Sequence, residues 1–193
     1  MDVSKKTVLY IALIHHPVLN KKGDTICSAI TNLDLHDIAR AARTFGVQGY
    51  YVINPLEDQK VLAEKIVSHW TEGDGGAVNP ARREALSLVR IKNSLEEAIE
   101  DIYLEDEDGE QVELIATSAR PGEKITSYSH MRDELSSGGR FLLIFGTAWG
   151  LTQEILDRAK WTLEPLNGSG DYNHLSVRSA VSIILDRLVG IHS

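Results

Sequence analysis

Phe145-Gly146-Thr147-Ala148-Trp149-Gly150-Leu151 continues an apolar run that begins at Arg140. Such a run reads as a strand buried on both faces, near the centre of a sheet. The abrupt change to small residues reads as the loop leaving that strand's carboxyl end, where open parallel sheets bind their ligands. Residues 161–166 then predict a last strand, and Asn167-Gly168-Ser169-Gly170-Asp171 a loop. Tyr172-Asn173-His174-Leu175-Ser176-Val177-Arg178-Ser179-Ala180 opens a final helix over about 173–189, apolar on most sides. A helix of that kind is buried, often at a subunit interface.

Outward from this region, strands and helices alternate along the chain. Residues 8–14, 49–53, 89–92 and 112–117 predict strands, and residues 35–45, 56–70 and 129–135 predict helices. Two further helices start at the caps Asn79-Pro80 and Ser94. The alternation predicts an α/β fold, with a mostly parallel sheet and helices on both faces. The first helix takes Asp34 as its cap and packs through Leu35, Ile38, Ala39 and Ala42. Its opposite face carries His36, Arg40 and Arg43. Gly73-Asp74-Gly75-Gly76 reads as a break. There is no internal repeat and no low-complexity linker, so residues 1–193 read as one domain.

Composition narrows the function classes. The chain has 193 residues, 42% hydrophobic and 25% charged, with Cys27 its one cysteine. One thiol forms no intrachain disulfide and suits a reducing cytoplasm. No Cys/His cluster suggests a metal. The apolar run at 8–14 is too short to span a bilayer and lacks a signal-peptide cleavage site, so no membrane association is expected. The net charge is −8, but ten acidic and no basic residues fall between Glu96 and Glu113. Elsewhere 18 acids face 20 Lys and Arg. An RNA partner would dock away from the acidic segment.

Three loops are expected to leave carboxyl ends of strands: Thr117-Ser118-Ala119-Arg120, Gly146 to Leu151, and Asn167 to Tyr172. All are rich in Gly, Ser or Thr, so a ligand can approach their backbone closely; each also reads as a plain strand-to-helix turn. The glycine spacing at 146–151 does not fit the dinucleotide fingerprint, and no GxxxxGK[ST] occurs.

The two stretches at 145–151 and 172–180 resemble the second and third motifs of SPOUT (α/β-knot) methyltransferases. Ile38-Ala39-Arg40-Ala41-Ala42-Arg43-Thr44-Phe45-Gly46-Val47 resembles the first. The order is right and the likeness runs through the whole chain. The sequence is most similar to a small stand-alone bacterial family described as tRNA (guanine-N1)-methyltransferase-like. Its hallmarks here are Asn32-Leu33-Asp34-Leu35-His36-Asp37-Ile38-Ala39-Arg40, Asn79-Pro80-Ala81-Arg82 and Asn173-His174-Leu175-Ser176-Val177-Arg178.

The resemblance implies a C-terminal trefoil knot, a homodimer packed through the first and last helices, and S-adenosylmethionine (SAM) as cofactor. It implies tRNA or rRNA as methyl acceptor, and neither DNA nor a membrane as partner. Cofactor contacts are expected from Thr117, Ser118, Ala119, Gly146, Thr147, Ala148, Trp149, Gly150, Leu166, Gly168, Asn173, His174, Leu175 and Ser176. Leu166 and Leu175 would flank the adenine. Arg40 is the catalytic or substrate-orienting candidate, with an ion pair to Asp37 or Asp34 as its alternative. Asp171 would lie near the sulfonium or take the substrate proton; otherwise it caps the final helix. Arg178 reads as reaching a partner's site or as one half of an interhelical ion pair. His15 and His16 sit where a cleft would form, and Arg82, Arg83, Arg120 and Lys124 are possible phosphate contacts.

The chain departs from the family pattern at Ala148, where many relatives carry glycine. A positive φ there would cost about 1 kcal/mol. Asp34 stands where ribose-methylating enzymes carry asparagine. Two other classes compete: a non-catalytic RNA- or nucleotide-binding module of the same fold, and an α/β domain with an unrelated small ligand.

Overall fold

The computed structural model describes residues 6–105, 109, 111–120, 125–170 and 172–191. Its elements in chain order are β1 (Thr7–Ile14), β2 (Val18–Leu19), β3 (Thr25–Ile26), α1 (Asn32–Thr44), β4 (Gly49–Ile53), α2 (Glu57–Thr71), α3 (Asp74–Val78), α4 (Pro80–Leu86), β5 (Val89–Lys92), α5 (Leu95–Leu104), β6 (Val112–Thr117), α6 (Tyr128–Ser136), β7 (Gly139–Gly146), α7 (Gln153–Arg158), β8 (Trp161–Leu163) and α8 (Val177–Val189). The six long strands form one sheet in the order β5-β4-β1-β7-β6-β8, and every pairing in it is parallel. β2 and β3 make a small antiparallel ribbon.

The period of two along β1 and β7 builds two cores. Leu9, Ile11, Leu13, Phe141, Leu143 and Phe145 face one side, against α1, α4, α6 and α8. Tyr10, Ala12, Ile14, Leu142 and Ile144 face the other, against α5 and α7. Successive side chains on a strand point to opposite faces, so a central strand reads as an unbroken apolar run.

Several boundaries differ from the sequence reading. The cap of α1 is Thr31, whose hydroxyl accepts from the Asp34 N–H, so Asp34 sits inside the first turn. The Thr31 hydroxyl donates in turn to Asp34 Oδ2, at 2.7 Å. The glycine-rich break folds as the short helix α3, tight against the end of α2. A Cβ on Gly76 would lie 2.2 Å from the Trp70 carbonyl oxygen, so only glycine permits that contact. The final helix starts at Val177, capped by Ser176, and is apolar on one side only: Val181, Ile184, Leu185 and Leu188 are buried while Ser179, Ser182 and Asp186 are exposed.

Candidate functional site

Parallel pairing brings the ends of three neighbouring strands together. Ile14 aligns with Gly146, Ala116 with Ile144, and Thr117 with Leu163. The loops leaving β7, β6 and β8 therefore share one edge of the sheet. Thr117 closes β6, and its hydroxyl donates to the Ile144 carbonyl at 2.9 Å. Ser118 Oγ accepts from the Arg120 N–H at 3.0 Å, which turns the chain away from the strand.

The Gly146–Leu151 loop is held from behind by residues 15–28. Thr147 N–H donates to Ile14 O, Trp149 N–H to Leu19 O and Gly150 N–H to Thr147 O. Those three amides are thus committed within the protein. A Cβ on Gly146 would meet the Leu151 nitrogen at 2.7 Å, so the loop closes on itself only with glycine there. Ala148 has φ 51°, the left-handed region. The departure from glycine is therefore a strained one, by about 1–2 kcal/mol.

A buried polar chain fixes that loop. His15 Nδ1 lies 3.0 Å from Ser28 Oγ, and Ser28 Oγ lies 2.5 Å from Thr147 Oγ1. The Thr147 hydroxyl reaches the Ile14 carbonyl at 3.0 Å. If Nδ1 carries the imidazole proton, each donor along this chain has an acceptor. His15 is fully buried, and desolvation lowers its pKa to about 4, so the ring is neutral at neutral pH. Its Nε2 has no partner. His16 is less buried, with Nδ1 3.3 Å from the Ile26 carbonyl.

The third loop presents apolar surface. Trp149, Tyr172 and Leu175 are exposed, while Leu166 is half-buried against the core. Gly168, Asn173 and His174 are exposed too, and Tyr172 meets His174 edge-on with ring centroids 6.4 Å apart. Ser176 Oγ accepts from the Ser179 N–H as the cap of α8. Asp171 and Lys124 lie outside the described residues.

On α1, the expected partners of Arg40 are otherwise engaged. Asp34, 6% exposed, binds Arg178 Nη1 at 3.2 Å, and Asp37 meets Arg178 Nε at 3.4 Å. Arg178 therefore forms an interhelical ion pair within one chain. Arg40 is exposed and has no ion pair among the described residues. It lines an open groove of about 590 Å³ between α1 and α8, with Asp37, Thr44, Phe45, Ser179 and Ser182 among the walls. No described residue of the three loops lines that groove.

The fold thus brings Thr117, Ser118, Ala119 and Gly146–Gly150 to one sheet edge, where the chain leaving β8 also starts. The small residues of these loops let a ligand approach the backbone, and the exposed Trp149 ring offers a flat apolar surface on the loop after β7. The His15–Ser28–Thr147 chain was not legible in the sequence. Residues 15–28 carry no periodicity, and a lone Ser or His in a loop gives no signal of its partner. No group of three or more His, Cys, Asp or Glu among the described residues is placed to hold a metal.

The profile of a family described as SAM-dependent RNA methyltransferase matches residues 8–190. A tRNA (guanine-N(1)-)-methyltransferase of Oleidesulfovibrio alaskensis is 46% identical over 182 residues, which are 94% of this chain and 42% of that protein. The chain therefore spans less than half the length of that relative. An uncharacterized protein of Aquifex aeolicus is 41% identical over 181 residues, 93% of this chain and 87% of its own. Among solved structures, the SpoU methyltransferase AviRb from Streptomyces viridochromogenes in complex with AdoMet superposes with a TM-score of 0.60 at 18% identity, covering 96% of this chain and 58% of that one.

Proposed function

Because the chain belongs to the SAM-dependent RNA methyltransferase family, we propose that it transfers a methyl group from SAM to a nucleotide of tRNA or rRNA in the cytoplasm. The observation that carries this reading is the convergence of the three loops at the carboxyl ends of β7, β6 and β8, in a chain matched by that family from end to end. The name of the O. alaskensis relative makes tRNA the first acceptor to try, and guanine N1 the first atom.

When bound, SAM supplies an electrophilic methyl group on a sulfonium. The chain's own task is to hold and orient the reactants, which contributes most of what such a transfer needs. Thr117, Ser118 and Ala119, Gly146 to Gly150, Gly168, and Asn173 to Ser176 form the cofactor's bed. Leu166, Leu175 and Trp149 give it apolar walls. The buried chain through His15 and Ser28 keeps the Thr147 turn in place without contributing charge. Asp171 receives the proton that leaves the acceptor nucleotide. Arg40, with no carboxylate partner among the described residues, holds the RNA phosphate, which suits its fixed fork of donors.

The described part of the chain forms one domain, supported by its single six-stranded sheet. A C-terminal knot is supported by the surroundings of β8. That strand pairs with β6 on one side and bridges to Thr126 on the other. Thr126 N–H donates to Thr162 O, and Glu164 N–H to Thr126 O. A homodimer through α1 and α8 is supported by their open groove, where a partner's loops would meet Arg40.

The test is a titration with SAM and S-adenosylhomocysteine, followed by transfer of labelled methyl to unfractionated tRNA and to rRNA. We expect micromolar binding and label in one RNA, with transfer lost in Arg40→Ala and Asp171→Asn. Binding without transfer to any RNA would leave a non-catalytic module of the same fold. No binding by folded protein would reject both.

A further inference from the structure

The cofactor's bed and the α1–α8 groove leave one charged surface unexplained, on the other flank of α1. Trp70, near the end of α2, is its centre. The Arg82 guanidinium stacks over the Trp70 ring, 4.5 Å from its centroid. His36 of α1 meets the same ring edge-on at 5.5 Å, and His69 does so at 5.2 Å. Arg82 Nε is buried without a partner, whereas its terminal nitrogens are neither buried nor bonded. Arg83 beside it is exposed. Arg40, Arg82 and Arg83 have no carboxylate partner among the described residues.

Other cations of the molecule are paired with acids. Arg43 pairs with Glu84, Arg90 with Asp101 and Glu105, Lys92 with Asp101, and Arg158 with Glu96. The acids of α1 and α4 are engaged, Glu84 by Arg43 and Asp34 and Asp37 by Arg178, whereas Glu72 and Asp74, at the end of α2 and the start of α3, have no ion pair among the described residues. Three arginines without an ion pair among the described residues, Arg40, Arg82 and Arg83, therefore share the packed helices α1 and α4. The acidic helix α5 lies on the opposite side of the sheet. A polyanion is drawn to one face of this molecule and repelled by the other.

We infer that the α1–α4 face, centred on Arg82 over Trp70 and flanked by Arg83, His36 and Arg40, docks the phosphodiester backbone of the RNA next to the nucleotide that is methylated. Stacking holds the Arg82 fork in place before the phosphate arrives, so less side-chain freedom is lost on binding. Arg40 borders both this face and the α1–α8 groove, lining the hollow between α1 and α4 with Arg43, Ala81 and Glu84 as well. It thus joins the docking face to the site of transfer. The glycines of α3 belong to the same device. They let α3 lie against Trp70 and the Arg83 stem, which a Cβ on Gly76 would touch at 3.1 Å.

The inference rests on the RNA-acceptor reading above, and the test separates the two. The full chain is titrated with fluorescent unfractionated tRNA between about 50 and 200 mM salt. The variants are Arg82→Gln, Arg83→Glu, their double, and Arg158→Gln on the far face; SAM affinity and solution mass are followed for each. We expect the double variant to weaken tRNA binding roughly ten-fold or more at low salt, and to lower the slope of log K against log salt by about two. Arg158→Gln leaves both as in the unsubstituted protein. Arg83→Glu, fully on the surface, carries the test if Arg82→Gln does not fold. Unchanged affinity and slope in Arg83→Glu and the double variant overturn the docking face, even where methyl transfer stands. So does a change in oligomeric mass with RNA binding intact, because the occupant is then a second copy. RNA binding that depends on Arg82 and Arg83, with no SAM affinity, upholds the face and sinks the methyltransferase reading.

Discussion

Ala148 is the plainest case of one residue carrying strain. Its φ of 51° is one that L-residues other than glycine rarely adopt. Replacement by glycine relieves about 1–2 kcal/mol in the folded chain but frees the unfolded one by about 0.4–1 kcal/mol. Ala148→Gly is therefore expected to leave stability unchanged or raise it by up to about 1.6 kcal/mol in urea unfolding. A loss beyond that would mean the Ala148 methyl makes contacts that outweigh the strain. At His15 the consequence concerns pH. Burial lowers its pKa from 6.5 to about 4, so the folded chain holds the neutral ring while the unfolded chain takes up a proton below pH 6.5. The stability linked to this residue is whole above pH 6.5 and drains away as pH falls toward 4, by about 3 kcal/mol at most. His15→Gln should flatten that part of the stability–pH curve. An unaltered curve would show that His15 titrates normally.

At the scale of elements, α1 and α8 are joined by a charge pair rather than by apolar contact alone. Asp34 is buried, and without Arg178 it would keep only the Thr31 hydroxyl and nearby backbone dipoles. Since Arg178 is itself about a third exposed, we expect Arg178→Ala to cost about 1–3 kcal/mol rather than the full penalty of a buried pair. Adding Asp34→Asn should recover part of that loss, and strict additivity of the two substitutions would argue against the pair. Elements also show how far sequence reasoning reaches. Caps at Asn79 and Ser94, and the strands 49–53, 89–92 and 112–117, were legible because each rests on local chemistry. The misreadings were at α3, at the cap of α1 and at the final helix, which starts later than expected and is apolar on one side only. Gly73 to Gly76 looks like a break because glycine disfavours helix. Close packing on Trp70 overrides that preference, and packing partners are not written in the local sequence.

For the whole molecule, cofactor binding should stabilise the fold, because the proposed bed would be built from three loops that only the folded sheet assembles. At a hundredfold excess over Kd, S-adenosylhomocysteine adds about 2.7 kcal/mol, or roughly 5–10 °C in Tm for a chain of this size. A Tm indifferent to saturating ligand would deny a site in the native state. The charge of the whole is equally a tertiary matter. A net −8 says little about partners once the acids are seen on α5 and the unpaired arginines on α1 and α4. No helix among the described residues is long and apolar enough to cross a membrane.

Taken by itself, the sequence determined the alternation of strands and helices, the central apolar strand β7, the small-residue loops at 117–120 and 146–151, and the motifs that match the family. These depend on periodicity, propensity and residue order, all of which are local. Only the tertiary structure decided that Asp34 and Asp37 serve Arg178 and leave Arg40 free, that His15 and Ser28 brace the Thr147 turn, and that Arg82 lies on Trp70. Each of those contacts joins residues of different elements or loops, whose meeting is set by sheet order and helix packing. A side chain's type states what it can bind, and the fold alone brings it a partner.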